Sequence, residues 1–141
     1  MALSYHPKPG TIVRVDYSSG FTEPEMVKRR LAVVLSPAIK ARPGLVTVVA
    51  LSTTDPSPQM PYHALVDIPF ELPAGWGRRP RWVKGDMVNA VGFHRVDLLA
   101  IGKGPNGKRR YQTKVLPKAD FTKVRQCVLH GLGLSTLTKH L

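Results

Sequence analysis

Lys28, Arg29 and Arg30 stand directly before the apolar run Leu31–Leu35, so three cations meet the mouth of a segment built for a core. A guanidinium at such a place can grip a phosphate through paired N–H groups, whereas a merely solvated strand end needs no partner. His94, beside Arg95, adds a group able to exchange protons with a bound phosphate ester near neutral pH. Its alternative is an ordinary hydrogen-bonded surface histidine. Trp76 and Trp82 bracket Arg78, Arg79 and Arg81, and Lys84 follows. Arginines interleaved with aromatics suit single-stranded RNA, because bases stack while cations follow the backbone. The same tryptophans would equally fill a core or a dimer interface.

Other constellations carry less. "GKGPNGKR", residues 102–109, has Gly102, Gly107 and Lys108 at phosphate-loop spacing, but Arg109 replaces the hydroxyl that would hold magnesium. A strand-like stretch follows where a helix should begin, so Asn106-Gly107 reads as a hairpin turn. The five histidines fall in no metal-ligand spacing, and Cys127 is the lone cysteine. No metal site, disulfide or cofactor is expected.

The charge is the loudest global feature. Twenty-one Lys and Arg against nine Asp and Glu give +12 over 141 residues, a surface for phosphate polymers or an acidic protein. Between Arg78 and Arg110 nine cations face two acids, so the charge is concentrated. Length and a 43% hydrophobic fraction fit one domain, residues 1–141, with a real core. The apolar runs are too short to span a membrane, and "MALSYHPKPG" does not read as a signal peptide. A cytoplasmic location is the expectation.

These side chains must be held by strands. "TIVRVDY" (11–17) alternates as a half-buried strand, while "LAVVLS" (31–36) and "LVTVVALS" (45–52) read as strands buried on both faces. "SSGFTEPEMVKRR" (18–30) is too long for a tight hairpin and is a candidate functional loop. "YHALVDI" (62–68) is a shorter strand, and "PAGWGRRPRWVKGD" (73–86) is expected to be irregular and exposed. "MVNAVGFHRVDLLAI" (87–101) reads as one strand bent near Gly92, and "YQTKVL" (111–116) as its partner. A single helix follows, with Phe121, Val124, Val128 and Leu132 on one face. Short strands and one late helix predict a small, curled antiparallel sheet or barrel.

Together, "GFTEPEMVKRRLAVVLSP" and "GLVTVVALST" resemble the PemK/MazF family of toxin endoribonucleases. The likeness is clear from Pro9 to Thr54 and looser through Asp97 and the helix. It implies an SH3-like small antiparallel barrel with a C-terminal helix. It also implies metal-independent cleavage of single-stranded RNA, a homodimer, and an acidic antitoxin that covers the RNA groove. Transferred by position, the family's catalytic arginine falls on Arg30, its strand-end hydroxyl on Ser52 or Thr53, and its loop glutamate on Glu25. Lys28 and Arg29 become neighbours that steer the RNA backbone. Three positions depart from the pattern: Leu31 replaces a proline, His94-Arg95-Val96-Asp97 replaces Arg-x-Ile-Asp, and Asn89 stands where some members have a basic residue. His94 is therefore the candidate for the second acid or base.

The alternative to an enzyme is the same barrel as a non-catalytic binding module for nucleic acid or protein, including a toxin directed at DNA gyrase. Such a binder needs the charge but not the combination of Arg30, Ser52 or Thr53, and Glu25.

Overall fold

The computed structural model describes residues 2–141. Its strands are β1 (Ile12–Tyr17), β2 (Lys28–Val34), β3 (Leu45–Ser52), β4 (His63–Val66), β5 (Arg81–Gly92), β6 (Val96–Lys103) and β7 (Arg109–Gln112). One α-helix, α1 (Lys118–Gly131), comes last but for a terminal 3-10 turn. Every strand pairing is antiparallel, in the order β4-β5-β3-β2-β1-β6-β7. This is the expected antiparallel architecture with a C-terminal helix. The edge strands β4 and β7 do not pair, so the sheet coils without closing into a complete barrel.

Strand alternation sorts the apolar residues into two cores. Val13, Val15 and Tyr17 of β1 meet Ala32, Val34, Val46, Val48, Ala50, Val91 and Val96 on the inner face. On the other face, Ile12, Leu31, Val33, Val49, Leu51 and Val83 meet Val124 and Cys127 of α1. β2 and β3 feed both cores, which is why Leu31–Val34 and Val48–Leu51 are apolar at every position. Each fully buried valine contributes about 1.5–3 kcal/mol relative to an exposed one, so burial on both faces holds this central pair in place.

The helix lies almost backbone to backbone on β5. A Cβ on Gly85 would sit 2.3 Å from the Cys127 carbonyl oxygen, and one on Gly131 would sit 2.4 Å from the Gly85 oxygen. The pairing of β3 with β5 is irregular in this region, with a register shift between Val49 and Leu51. Burial of Cys127 in the second core pushes its thiol up to about 11.

Three expectations need correction. Residues 87–101 are not one bent strand: β5 ends at Gly92, a 3-10 turn occupies Phe93–Arg95, and β6 starts at Val96. The cause is a change of partner, since β5 runs along β3 while β6 runs along β1. Residues 73–86 are not wholly irregular, because β5 begins at Arg81, immediately after Pro80. Leu132 is not on the buried helix face. It follows the last helical residue and is 59% exposed. The stretch at 102–109 forms the hairpin turn between β6 and β7, with the Gly104 N–H on the Lys108 carbonyl at 2.7 Å. No helix among the described residues is long and apolar enough to cross a membrane.

Candidate active site

β2 pairs with β3 through Ala32↔Ala50, Val33↔Val49 and Val34↔Val48. The pairing of β2 with β3 stops at Ala32↔Ala50, two residues short of Arg30 on one strand and of Ser52 on the other, so both lie at the same end of the strand pair. Both follow the alternation of Ala32 and Ala50, so both face the inner-core side, at the rim of the sheet. Arg30 is half-buried, and its Nε–H donates to the Val27 carbonyl at 3.1 Å. It pairs with no carboxylate among the described residues. Its two terminal nitrogens are therefore open to an anion.

Ser52 is only 7% exposed, and its Oγ accepts the Thr54 N–H at 3.1 Å. Its own hydroxyl hydrogen remains available to donate. Thr53 lies past the strand end, exposed, on the alternate position. The two hydroxyls are thus distinguished by burial, Ser52 being held inside the strand end and Thr53 lying exposed beyond it.

Glu25 sits on the exposed loop that delivers the chain into β2. A turn fixes it: its N–H donates to the Thr22 carbonyl at 2.9 Å, and Thr22 N–H approaches its Oε1 at 3.4 Å. The next residue, Met26, is anchored in the inner core. His94 is exposed in the turn before β6, its ring lying against Gly92, where a Cβ would be 2.5 Å from Cε1. Val96 pairs with Val15, which also pairs with Arg30, so this turn is at the same end of the sheet. No hydrogen bond joins His94 to Arg30, Ser52 or Glu25.

The three leading cations separate. Lys28 is exposed and holds a left-handed φ of 71°, unusual for a residue with a side chain. Arg29 alternates to the face opposite Arg30, where its Nε lies 3.5 Å from Asp16 Oδ2. Hydrogen bonds from the Ser18 hydroxyl and N–H, with a smaller contribution from Arg29, hold the Asp16 carboxyl below its usual range.

The arginine-tryptophan segment also divides. Arg81 is 3% exposed, and its guanidinium donates to the carbonyls of Trp76 and Arg79. It organises the loop. Trp76 is half-buried against the outer core, so its ring is not an open stacking platform. Arg78 and Arg79 are exposed, and with Arg81, Asp67, Ile68 and Leu72 they line a cavity of about 270 Å³. Lys84 is half-buried opposite His63. A link not anticipated from sequence is the Trp82 Nε1–H on Asp55 Oδ1 at 2.9 Å, tying the loop after β3 to β5. Its partners are far apart in the chain, and nothing local announces it.

Residues 8–132 match the family of PemK-like, MazF-like toxins of type II toxin-antitoxin systems. The chain belongs to the PemK/MazF family. A PemK/MazF match of this span takes in every candidate residue from Glu25 to His94. An uncharacterized protein of Haemophilus influenzae is 30% identical over 97% of this chain and 98% of its own length. MazF from Deinococcus radiodurans shares the fold at a TM-score of 0.60, with 21% identity over 92% of this chain and 99% of its own. An endoribonuclease from a mycobacterial species, solved with its cognate antitoxin, aligns at a TM-score of 0.55, with 19% identity over 91% and 96%.

Proposed function

We propose that this PemK/MazF chain is a toxin endoribonuclease that cleaves single-stranded RNA, with mRNA as its natural target. The observation that carries the reading is that Arg30 and Ser52 stand at the same end of adjacent strands, with the Arg30 guanidinium free of any carboxylate among the described residues. In the reaction, the ribose 2′-hydroxyl loses its proton and its oxygen attacks the neighbouring phosphorus. The bond from phosphorus to the 5′-oxygen breaks, leaving a 2′,3′-cyclic phosphate and a protonated 5′-hydroxyl. Arg30 stabilises the charge that builds on the phosphoryl oxygens. Ser52 donates its hydroxyl to the same phosphate. No step uses a metal ion.

The loop carboxylate of Glu25 accepts the 2′-hydroxyl proton, and the exposed imidazole of His94 is the second titratable group at this end of the sheet. Loss of proton transfer costs about two to four decades in rate. Glu25→Gln should show that loss, whereas near-parental cleavage by His94→Gln would leave the 5′-oxygen to be protonated by solvent. Lys28, Arg78 and Arg79 are the exposed cations assigned to the RNA backbone. Arg29, Arg81 and Lys84 have local partners or partial burial and contribute to the field rather than to direct contacts.

The +12 charge also suits an acidic antitoxin, an antitoxin being the partner with which the mycobacterial neighbour was solved, and a homodimer in the cytoplasm completes the reading. The test is incubation of the purified protein with a long single-stranded RNA in EDTA, followed by analysis of the new ends. Fragments with 2′,3′-cyclic phosphate and 5′-hydroxyl ends are expected. RNA that is bound but intact would instead mark a non-catalytic binding module.

A further inference from the structure

We propose that Arg95 is a positioning residue, a clamp that holds the loop between β1 and β2 closed so that Glu25 and Arg30 keep a fixed geometry. The inference rests on the ribonuclease reading above.

Arg95 belongs to the 3-10 turn between β5 and β6, yet its bonds go to the loop after β1. Its Nη1 donates to the Ser19 carbonyl at 2.5 Å and to the Asp16 carbonyl at 3.3 Å. Its Cζ stands 4.9 Å from the centre of the Phe21 ring, in the cation–π arrangement. Phe21 in turn meets Tyr17 edge-on at 5.2 Å, and Tyr17 is fully buried in the inner core. Gly20 completes the seat. It has a φ of 80°, and a Cβ there would lie 3.0 Å from Arg95 Nη2. One guanidinium therefore bonds Asp16 and Ser19, packs on Phe21 and occupies the space a side chain at Gly20 would need.

An arginine serving only solubility would point to water or to a carboxylate. Arg95 pairs with no carboxylate among the described residues, and the nearby Asp16 carboxylate is engaged by Ser18 and Arg29. Its donors are directed at backbone carbonyls, the groups a loop must satisfy to stay in one conformation. The consequence for the site follows along the chain. Arg95 anchors residues 16–21 and Met26 anchors the far side, so the turn bearing Glu25 hangs between two fixed points. Just beyond, the Val27 carbonyl accepts the Arg30 Nε–H. Releasing the near anchor frees Glu25 and loosens the carbonyl that orients Arg30.

Two independent variants test the clamp. Arg95→Gln removes the fork, and Gly20→Ala drives a methyl toward Nη2 at a φ that disfavours any side chain. In both, amide hydrogen exchange over residues 18–25 should accelerate about tenfold or more. Single-turnover cleavage of a single-stranded RNA should fall about ten- to a hundred-fold, with the RNA Kd within about threefold of the parent. Arg95→Lys keeps the charge without the planar fork, so it should behave like Arg95→Gln. Unchanged loop exchange in Arg95→Gln would overturn the proposal. So would parental cleavage by Arg95→Lys, or a rate loss matched by lost affinity, either of which would make Arg95 a plain charge contact for RNA. If the parent itself cleaves no RNA, the ribonuclease reading fails and the positioning role with it, while exchange still decides whether Arg95 holds the loop.

Discussion

The Nε–H of Arg30 rests on the carbonyl of Val27 at 3.1 Å. This bond turns the edge of the guanidinium that carries Nε back toward the entering loop and leaves the Nη edge for a ligand. The side chain starts from a strand held by β1, with Val15 paired to Arg30. A charge aimed from a rigid element needs little reorganisation when a phosphate arrives. The loop and the strand are thus one device, and changes to either should appear in catalysis before they appear in stability.

Lys28 sits at the junction, with a φ of 71°. A side chain in the left-handed region costs about 1–2 kcal/mol, and glycine avoids that cost while adding some backbone entropy to the unfolded chain. Lys28→Gly should therefore raise unfolding stability by about 1 kcal/mol. As one phosphate contact disappears, the slope of log affinity against log salt for single-stranded RNA should flatten by about 0.7. Denaturant unfolding and RNA titrations at several salt concentrations measure the two effects separately.

The exposed pair Arg78 and Arg79 offers a second check on the RNA path. Changing both to Ala should flatten the salt slope by about 1.4, with little change in stability, because neither is buried. Arg81→Ala should behave differently. It removes the donor to the Trp76 and Arg79 carbonyls and leaves buried polar groups unmatched, which costs about 1–3 kcal/mol. A salt slope unchanged in the double variant would show that the loop faces away from RNA.

His63 makes stability depend on pH. Its Nδ1 accepts the Met60 N–H at 3.0 Å, which requires an unprotonated nitrogen. Partial burial lowers its pKa from the ordinary 6.5, Lys84 lowers it further, and Asp86 partly opposes them. The folded state therefore favours the neutral ring. Its contribution is fully present above pH 6.5 and is lost as pH falls through the lowered value, where the unfolded chain binds the extra proton. His63→Gln, which can still accept that N–H, should show a smaller fall in urea midpoint between neutral and mildly acidic pH. Identical pH curves for parent and variant would remove His63 from the account.

Much of the framework was legible in residue types. The ends of β3, Leu45 and Ser52, are visible in the sequence, because Gly44 before it and the polar "TTDPSP" after it bound an apolar run. β2 starts three residues before, and ends two residues before, the stretch 31–36 that residue types mark as strand, since Lys28, Arg29 and Arg30 look like loop by polarity yet pair with Tyr17, Asp16 and Val15. That same pairing sends Arg29 and Arg30 to opposite faces. The arginines and aromatics around Arg81 point to an RNA contact, whereas its burial depends on two loop carbonyls that no local pattern reveals. Arg95 was invisible for the same reason, its partners lying near the other end of the chain. Residue spacing shows alternation and punctuation, but not which distant carbonyl a long side chain will reach.

The central claim is that Arg30 stabilises the reacting phosphate, and single-turnover RNA cleavage by Arg30→Ala tests it most directly. With parental circular dichroism and an RNA Kd close to the parent's, the account predicts a rate lower by about two to three decades, equivalent to about 2.7–4 kcal/mol of lost transition-state stabilisation. A folded Arg30→Ala protein that cleaves RNA at the parental rate would contradict it.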